Sequence, residues 1–166
     1  SKSRAAVTRF SLAIARFLQE QGVKLIVVAC NTASALALEE LRKQCAVPVL
    51  GVIEPGAEKA VQTTRNKCIA VLGTEGTIKS AAYAKAIAKR NKQSRVVQQA
   101  CPLFVPLVEE NWTHKPAARL IAQEYLAPVK KSGADTVILG CTHYPILKPV
   151  LARLLGRSVR LVDSAD

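Results

Sequence analysis

The sequence predicts an α/β protein: a mostly parallel sheet with helices on both faces, a three-layer sandwich. Two observations carry this. Short runs of β-branched apolar residues alternate with segments whose apolar residues recur at the helical period of 3.6. The runs are separated by enough chain for a crossover helix each time, as parallel neighbours require. Hydrophobic residues make up 49% and charged residues 22% of the 166-residue chain, enough apolar material for a core and too little polarity for disorder.

The elements follow in order. Val7, Phe10, Ile14, Phe17 and Leu18 form one helical stripe, ended by Gly22. Residues 23–29 are an apolar run rich in β-branched side chains, which predicts a strand covered on both faces. Residues 32–44 read as a helix with Leu38 and Leu41 inward, and 47–53 as a strand with Pro48 near its start. Pro55 opens a helix reaching about residue 63. A strand over 67–72 leads to an alanine- and lysine-rich helix over 75–90, then a short strand over 95–99. Residues 104–110 make a helical turn, and a helix starting at Pro116 runs to about residue 131. The last elements are a strand over 136–139, a helix over 146–155 and a strand over 158–162.

Composition narrows the function classes. There are 24 basic and 12 acidic residues, a formal net charge of +12. The excess invites a nucleic-acid partner. Yet the basic residues are scattered along predicted solvent-facing helix positions, Arg16, Lys43, Lys89 and Arg153 among them, and aromatic residues are only 4%. A stacking platform for bases needs more. Solvated helix faces are the better reading, and a basic nucleic-acid-binding α/β module is the unfavoured alternative. No apolar run is long enough to span a bilayer. The five cysteines, Cys30, Cys45, Cys68, Cys101 and Cys141, are an odd number and form neither a disulfide framework nor a metal knuckle. A reducing cytoplasm is therefore expected. Cys45, Cys68 and Cys101 read as small buried hydrophobes. The chain contains no methionine, which predicts a piece of a longer protein.

In a parallel α/β sheet, ligands sit beyond the carboxyl ends of the strands. Two strand ends are alike here. Residues 22–32 end in Cys30-Asn31-Thr32, and residues 133–143 end in Cys141-Thr142-His143; the two align without a gap. Each is a glycine, a buried strand, a small residue, a cysteine and then a polar pair opening a helix. A third end, Gly73-Thr74-Glu75-Gly76-Thr77, has the same shape with threonine in the cysteine's place. A thiol at a helix N-terminus is pushed toward thiolate, the reactive form. Asn31, Thr32, Thr74, Thr77 and Thr142 can donate hydrogen bonds to a carboxylate held there, and His143 can tune the thiol beside it. Two thiols in matched places suggest a reaction with two faces, in which one removes a proton from a carbon and the other delivers one from the opposite side. A cysteine protease, which needs one cysteine with a histidine base, would have no use for the second copy. No glycine-rich phosphate loop is present.

Ala29-Cys30-Asn31-Thr32-Ala33-Ser34 and Leu139-Gly140-Cys141-Thr142-His143-Tyr144-Pro145 resemble the two signature motifs of the bacterial glutamate racemases, within the aspartate/glutamate racemase superfamily. Pro48-Val49-Leu50-Gly51 through Ala57, and Gly73-Thr74 through Ser80, are similar to further segments of that family. The resemblance covers nearly the whole chain. It implies two similar, pseudo-symmetric α/β domains with the active site between them, the first incomplete here: residues 1–53 in the first domain, 54–162 in the second, and 163–166 starting the return to the first. It implies interconversion of L- and D-glutamate without a cofactor or metal, supplying D-glutamate for peptidoglycan and so for cell-wall biogenesis and cell shape. Aspartate or another amino acid of the superfamily's range is the alternative substrate.

By the same resemblance, Cys30 takes the α-proton from the D-isomer and Cys141 from the L-isomer. Asn31, Thr32, Thr74, Thr77 and Thr142 hold the substrate, and His143 assists the second cysteine. Glu109 falls where the family often has a glutamate near that histidine, with an ordinary solvated role left open. Partners are glutamate, neither membrane nor nucleic acid, with a homodimer left open. The family's opening strand with its Asp-Ser-Gly loop and its Pro-Tyr-Gly segment are absent from this sequence, as is a closing helix. The resemblance therefore implies a fragment truncated at both ends, poor in activity by itself and with apolar surface laid bare in its first domain.

Overall fold

The computed structural model describes residues 2–164. Residues 165 and 166 of the predicted return segment lie outside them. The strands pair in parallel, as the alternation of periods predicts, and divide between two sheets, as the family resemblance implies. The first has two strands, β1 (Ile26–Val28) and β2 (Val49–Gly51), with Val27 opposite Leu50. Helix α1 (Arg4–Glu20) and the pair α2 (Asn31–Leu36) and α3 (Leu38–Gln44) pack beside it. The second sheet has four strands in the order β4-β3-β5-β6: β3 (Cys68–Gly73), β4 (Arg95–Ala100), β5 (Thr136–Gly140) and β6 (Arg160–Val162), all parallel. Helices α4 (Ile53–Thr63), α5 (Glu75–Ser80) and α6 (Ala82–Arg90) link the sheets and cross over; α7 (Phe104–Glu109), α8 (Pro116–Ser132) and α9 (Lys148–Leu155) complete the layers.

The second sheet is buried on both faces. Cys68, Ala70 and Leu72 of β3 face one core with Phe104, Leu126, Tyr144 and Leu151, while Ile69 and Val71 face another with Ala57, Tyr83 and Ile87. Cys68 and Cys101 are buried in the first of these cores, and Cys45 is half-buried against the two-stranded sheet. No helix among the described residues is long and apolar enough to cross a membrane.

Three expectations are corrected. Residues 23–29 yield only the three-residue β1, covered on one face: Ile26 is buried while Val27 is 58% exposed, as is half of Leu50 beside it. The outer side of this sheet and Phe10, Ile14 and Phe17 of α1 carry apolar surface that no other described residue covers. The helix expected over 32–44 breaks at Ala37. Ser34 is tied to the sheet, donating to the Val28 carbonyl at 2.8 Å and accepting from the Val52 N–H at 3.2 Å, while Leu41 must reach the core from a second helix axis. The helix expected over 75–90 breaks at Ala81, whose φ of 55° is left-handed. Ser80 causes it: its hydroxyl donates back to the Thr77 carbonyl at 2.6 Å and accepts from the Ala82 N–H at 3.1 Å, so a side chain replaces the helical pattern.

The start of β5 is held by Asp135. Its carboxylate accepts from the Thr64 hydroxyl at 2.6 Å, from the Arg65 and Asn66 N–H groups at 2.8 Å each, and from the Thr136 hydroxyl at 3.0 Å. Burial alone would raise its pKa, but these bonds outweigh it and hold the group below the ordinary 3.8. A depressed carboxyl pKa gives stability that is complete above the unfolded value and fades as pH falls below 3.8 toward the folded value. Asp135→Asn is expected to lose about 1–3 kcal/mol at neutral pH. Urea unfolding at pH 7 and near pH 3 checks it: the gap between variant and wild type should narrow in acid, and a constant gap would contradict the assignment.

Candidate active site

The site forms where the carboxyl ends of both sheets meet. Cys30 follows β1 and caps α2, its sulfur accepting from the Ala33 N–H at 3.5 Å. In the second sheet Gly73 and Gly140 are register partners, so Thr74 and Cys141 leave their strands side by side. The two sheets are joined at this edge by three hydroxyls. Thr32 lies 2.8 Å from Thr74 and 3.2 Å from Thr77, and Thr74 lies 3.1 Å from Thr77. Thr74 also caps α5, accepting from the Thr77 N–H at 3.3 Å. The structure thus brings together Asn31 and Thr32 from the first strand end with Thr74 and Thr77 from the third. Asn31 and Thr77 are buried, while Thr142 is exposed beside Cys141.

Cys30 is exposed and Cys141 is buried. Burial pushes the Cys141 thiol above its ordinary pKa, and Cys30 is near enough that its charge adds to the rise; bonds from the His143 N–H, the Thr142 hydroxyl and the Tyr144 N–H oppose it. This corrects one expectation. The sequence predicted a thiolate-favouring helix terminus at Cys141. Instead the chain enters a short 3₁₀ turn, Tyr144–Leu147, before α9, and desolvation outweighs the backbone donors. Such a thiol is a rarer thiolate at neutral pH and a stronger base when formed.

The Cys141 sulfur lies 3.7 Å from His143 Nδ1, and His143 Nε2 lies 3.3 Å from Glu109 Oε1, so sulfur, imidazole and carboxylate form a line. Glu109 stands at the end of α7, 60% exposed. No group of three or more metal-ligating side chains occurs among the described residues.

Sequence reasoning missed Ser34, Tyr83 and Ser164. Tyr83 donates to Asn31 Oδ1 at 2.6 Å, and its oxygen lies 3.5 Å from Ser164 Oγ. Its one local signal is that it is the lone aromatic residue in α6.

The sequence model of the Asp/Glu/hydantoin racemase family matches residues 1–166. A glutamate racemase from Geobacter metallireducens is 55% identical over the whole chain, which covers 62% of that protein. The glutamate racemase isoform of Bacillus anthracis superposes with a TM-score of 0.95 at 38% identity, covering 99% of this chain and 62% of that one. The Francisella tularensis glutamate racemase, solved in complex with D-glutamate, gives a TM-score of 0.92 at 38% identity, with 99% and 61% covered. The chain thus spans about three fifths of the length of the relatives it matches.

Proposed function

The chain belongs to the Asp/Glu/hydantoin racemase family, and on that footing we propose that the protein carrying it interconverts L- and D-glutamate by a two-base reaction at Cys30 and Cys141. The division into a first domain over 1–53 and a second over 54–162 is part of the proposal, as is a role in supplying D-glutamate to peptidoglycan in the cytoplasm. The observation that carries it is the placing of two cysteines at the carboxyl ends of separate sheets whose edges are bonded through Thr32, Thr74 and Thr77.

The Cys141 thiolate removes the α-proton of L-glutamate, leaving a carbanion conjugated with the α-carboxylate. The Cys30 thiol delivers a proton to the opposite face, giving D-glutamate. Cys141 is left as thiol and Cys30 as thiolate, set for the reverse reaction. Donors from Asn31, Thr32, Thr74, Thr77 and Thr142 hold the carboxylates and stabilise the charge that builds on the α-carboxylate. His143, backed by Glu109, steadies the proton on the Cys141 sulfur.

The test is polarimetry of the full protein with L-glutamate and, separately, L-aspartate. Decay of rotation with glutamate and not with aspartate supports the reading. No decay with either, or a faster one with aspartate, overturns it.

A further inference from the structure

We infer that Tyr83 is a positioning residue that locks the side-chain amide of Asn31, so that the NH₂ end rather than the carbonyl end is offered to an anionic group of the substrate. The inference rests on the proposed reading of this site as one for an amino acid.

An asparagine amide has one acceptor end and one donor end, and the two are nearly equal in shape. A free amide can turn either to a ligand. Here the carbonyl end is already engaged. The Tyr83 hydroxyl donates to Asn31 Oδ1 at 2.6 Å, and Asn31 and Tyr83 are 3% and 1% exposed. With Oδ1 occupied, Nδ2 is the group left to meet a ligand. Asn31 sits between Cys30 and Thr32 at the start of α2, and Thr32 is bonded to Thr74 and Thr77.

Tyr83 is held for this task from several sides. A Cβ on Gly56 would come 3.1 Å from its hydroxyl oxygen, and one on Gly140 would come 3.1 Å from its ring. Burial, with a smaller push from Asp163 and against a hydrogen bond from Ser164, raises its phenol to about 12. It therefore stays a donor well above neutral pH. The left-handed Ala81 turns α6 out of line with α5, so that Thr77 from one helix and Tyr83 from the next both serve the same site.

A residue that only orients a binding donor affects substrate capture more than proton transfer. In the full protein, Tyr83→Phe is expected to raise the KM for both glutamate enantiomers about tenfold while kcat changes less than about threefold. Because Tyr83 acts through Asn31, adding Tyr83→Phe to Asn31→Ala should raise KM no further. A KM within about twofold of wild type, or effects that multiply in the double variant, would overturn the inference.

Two readouts stand apart from turnover. If the wild type does not racemise glutamate, the functional reading fails. The amide lock is then judged by the Asn31 side-chain NH₂ resonances, which should move in Tyr83→Phe; unmoved signals overturn it. If Tyr83→Phe does not fold, Asn31→Ala gives the complementary result. Loss of the acceptor should lower the Tyr83 phenol from its raised value in an ultraviolet titration, and an unchanged titration refutes the pairing.

Discussion

Cys30→Ser and Cys141→Ser, made in the full protein, are each expected to cut glutamate racemisation in both directions by about 10³-fold. A serine hydroxyl is several pK units less acidic than a thiol, so it neither donates a proton readily to a carbanion nor forms the conjugate base that begins the reverse reaction. The two losses should not be identical in kind. With Cys141 intact, Cys30→Ser should still exchange the α-proton of L-glutamate with solvent, since removal from that face and return to it need one thiol. Cys141→Ser should do so only with D-glutamate. The matching controls are the cysteines that pack in the core or beside it. Cys45→Ser and Cys68→Ala should leave turnover within about twofold, because neither lies at the joined strand ends. Unchanged racemisation in either site variant would end the two-thiol account.

The second large effect is expected at Gly140→Ala. Gly140 ends β5, pairs with Gly73 and directly precedes Cys141. A Cβ there would lie 2.8 Å from the Leu72 carbonyl oxygen and 3.1 Å from the Tyr83 ring. The first of these is backbone in the centre of a buried sheet and cannot step aside as a flexible side chain would. The end of β5 must move instead, and Cys141 moves with it. Overpacking of this kind costs about 1–3 kcal/mol, and displacing a reacting group by an ångström costs on the order of 10²-fold in turnover. Gly156→Ala supplies the comparison. Gly156 has a φ of 84° at the end of α9, so alanine there is strained too, but it is remote from the strand ends. Its expected cost is in urea stability, with turnover kept. Full turnover in a folded Gly140→Ala variant would show that the strand end does not set the position of the thiol.

How far the sequence disclosed the molecule depends on how local each signal is. The parallel α/β class and the cysteine-bearing strand ends were legible because a β-branched run, a small residue and a polar pair are contiguous. The helix break at Ala81 was not, because alanine is the best helix former and the agent is the neighbouring Ser80 hydroxyl. The exposure of Val27 was not, because a run of valines and isoleucines reports that a strand can be buried and not whether anything packs on it. The raised Cys141 thiol was misread from position alone: the backbone donors are there, but the depth of burial is a property of the whole second core. Tyr83 left no signal beyond being the lone aromatic residue of its helix, because its partner Asn31 lies on another helix, far away in the chain.

The account rests on two thiols reaching one α-carbon from opposite sides, and isotope distribution tests that most directly. The full protein is incubated with L-glutamate in deuterium oxide and stopped early, and both enantiomers are examined for deuterium at the α-carbon. The account predicts D-glutamate carrying deuterium from the solvent-equilibrated Cys30 thiol, while the recovered L-glutamate keeps its protium. Protium carried over into D-glutamate, or equal deuterium in both enantiomers from the start, would mean that a single group serves both faces.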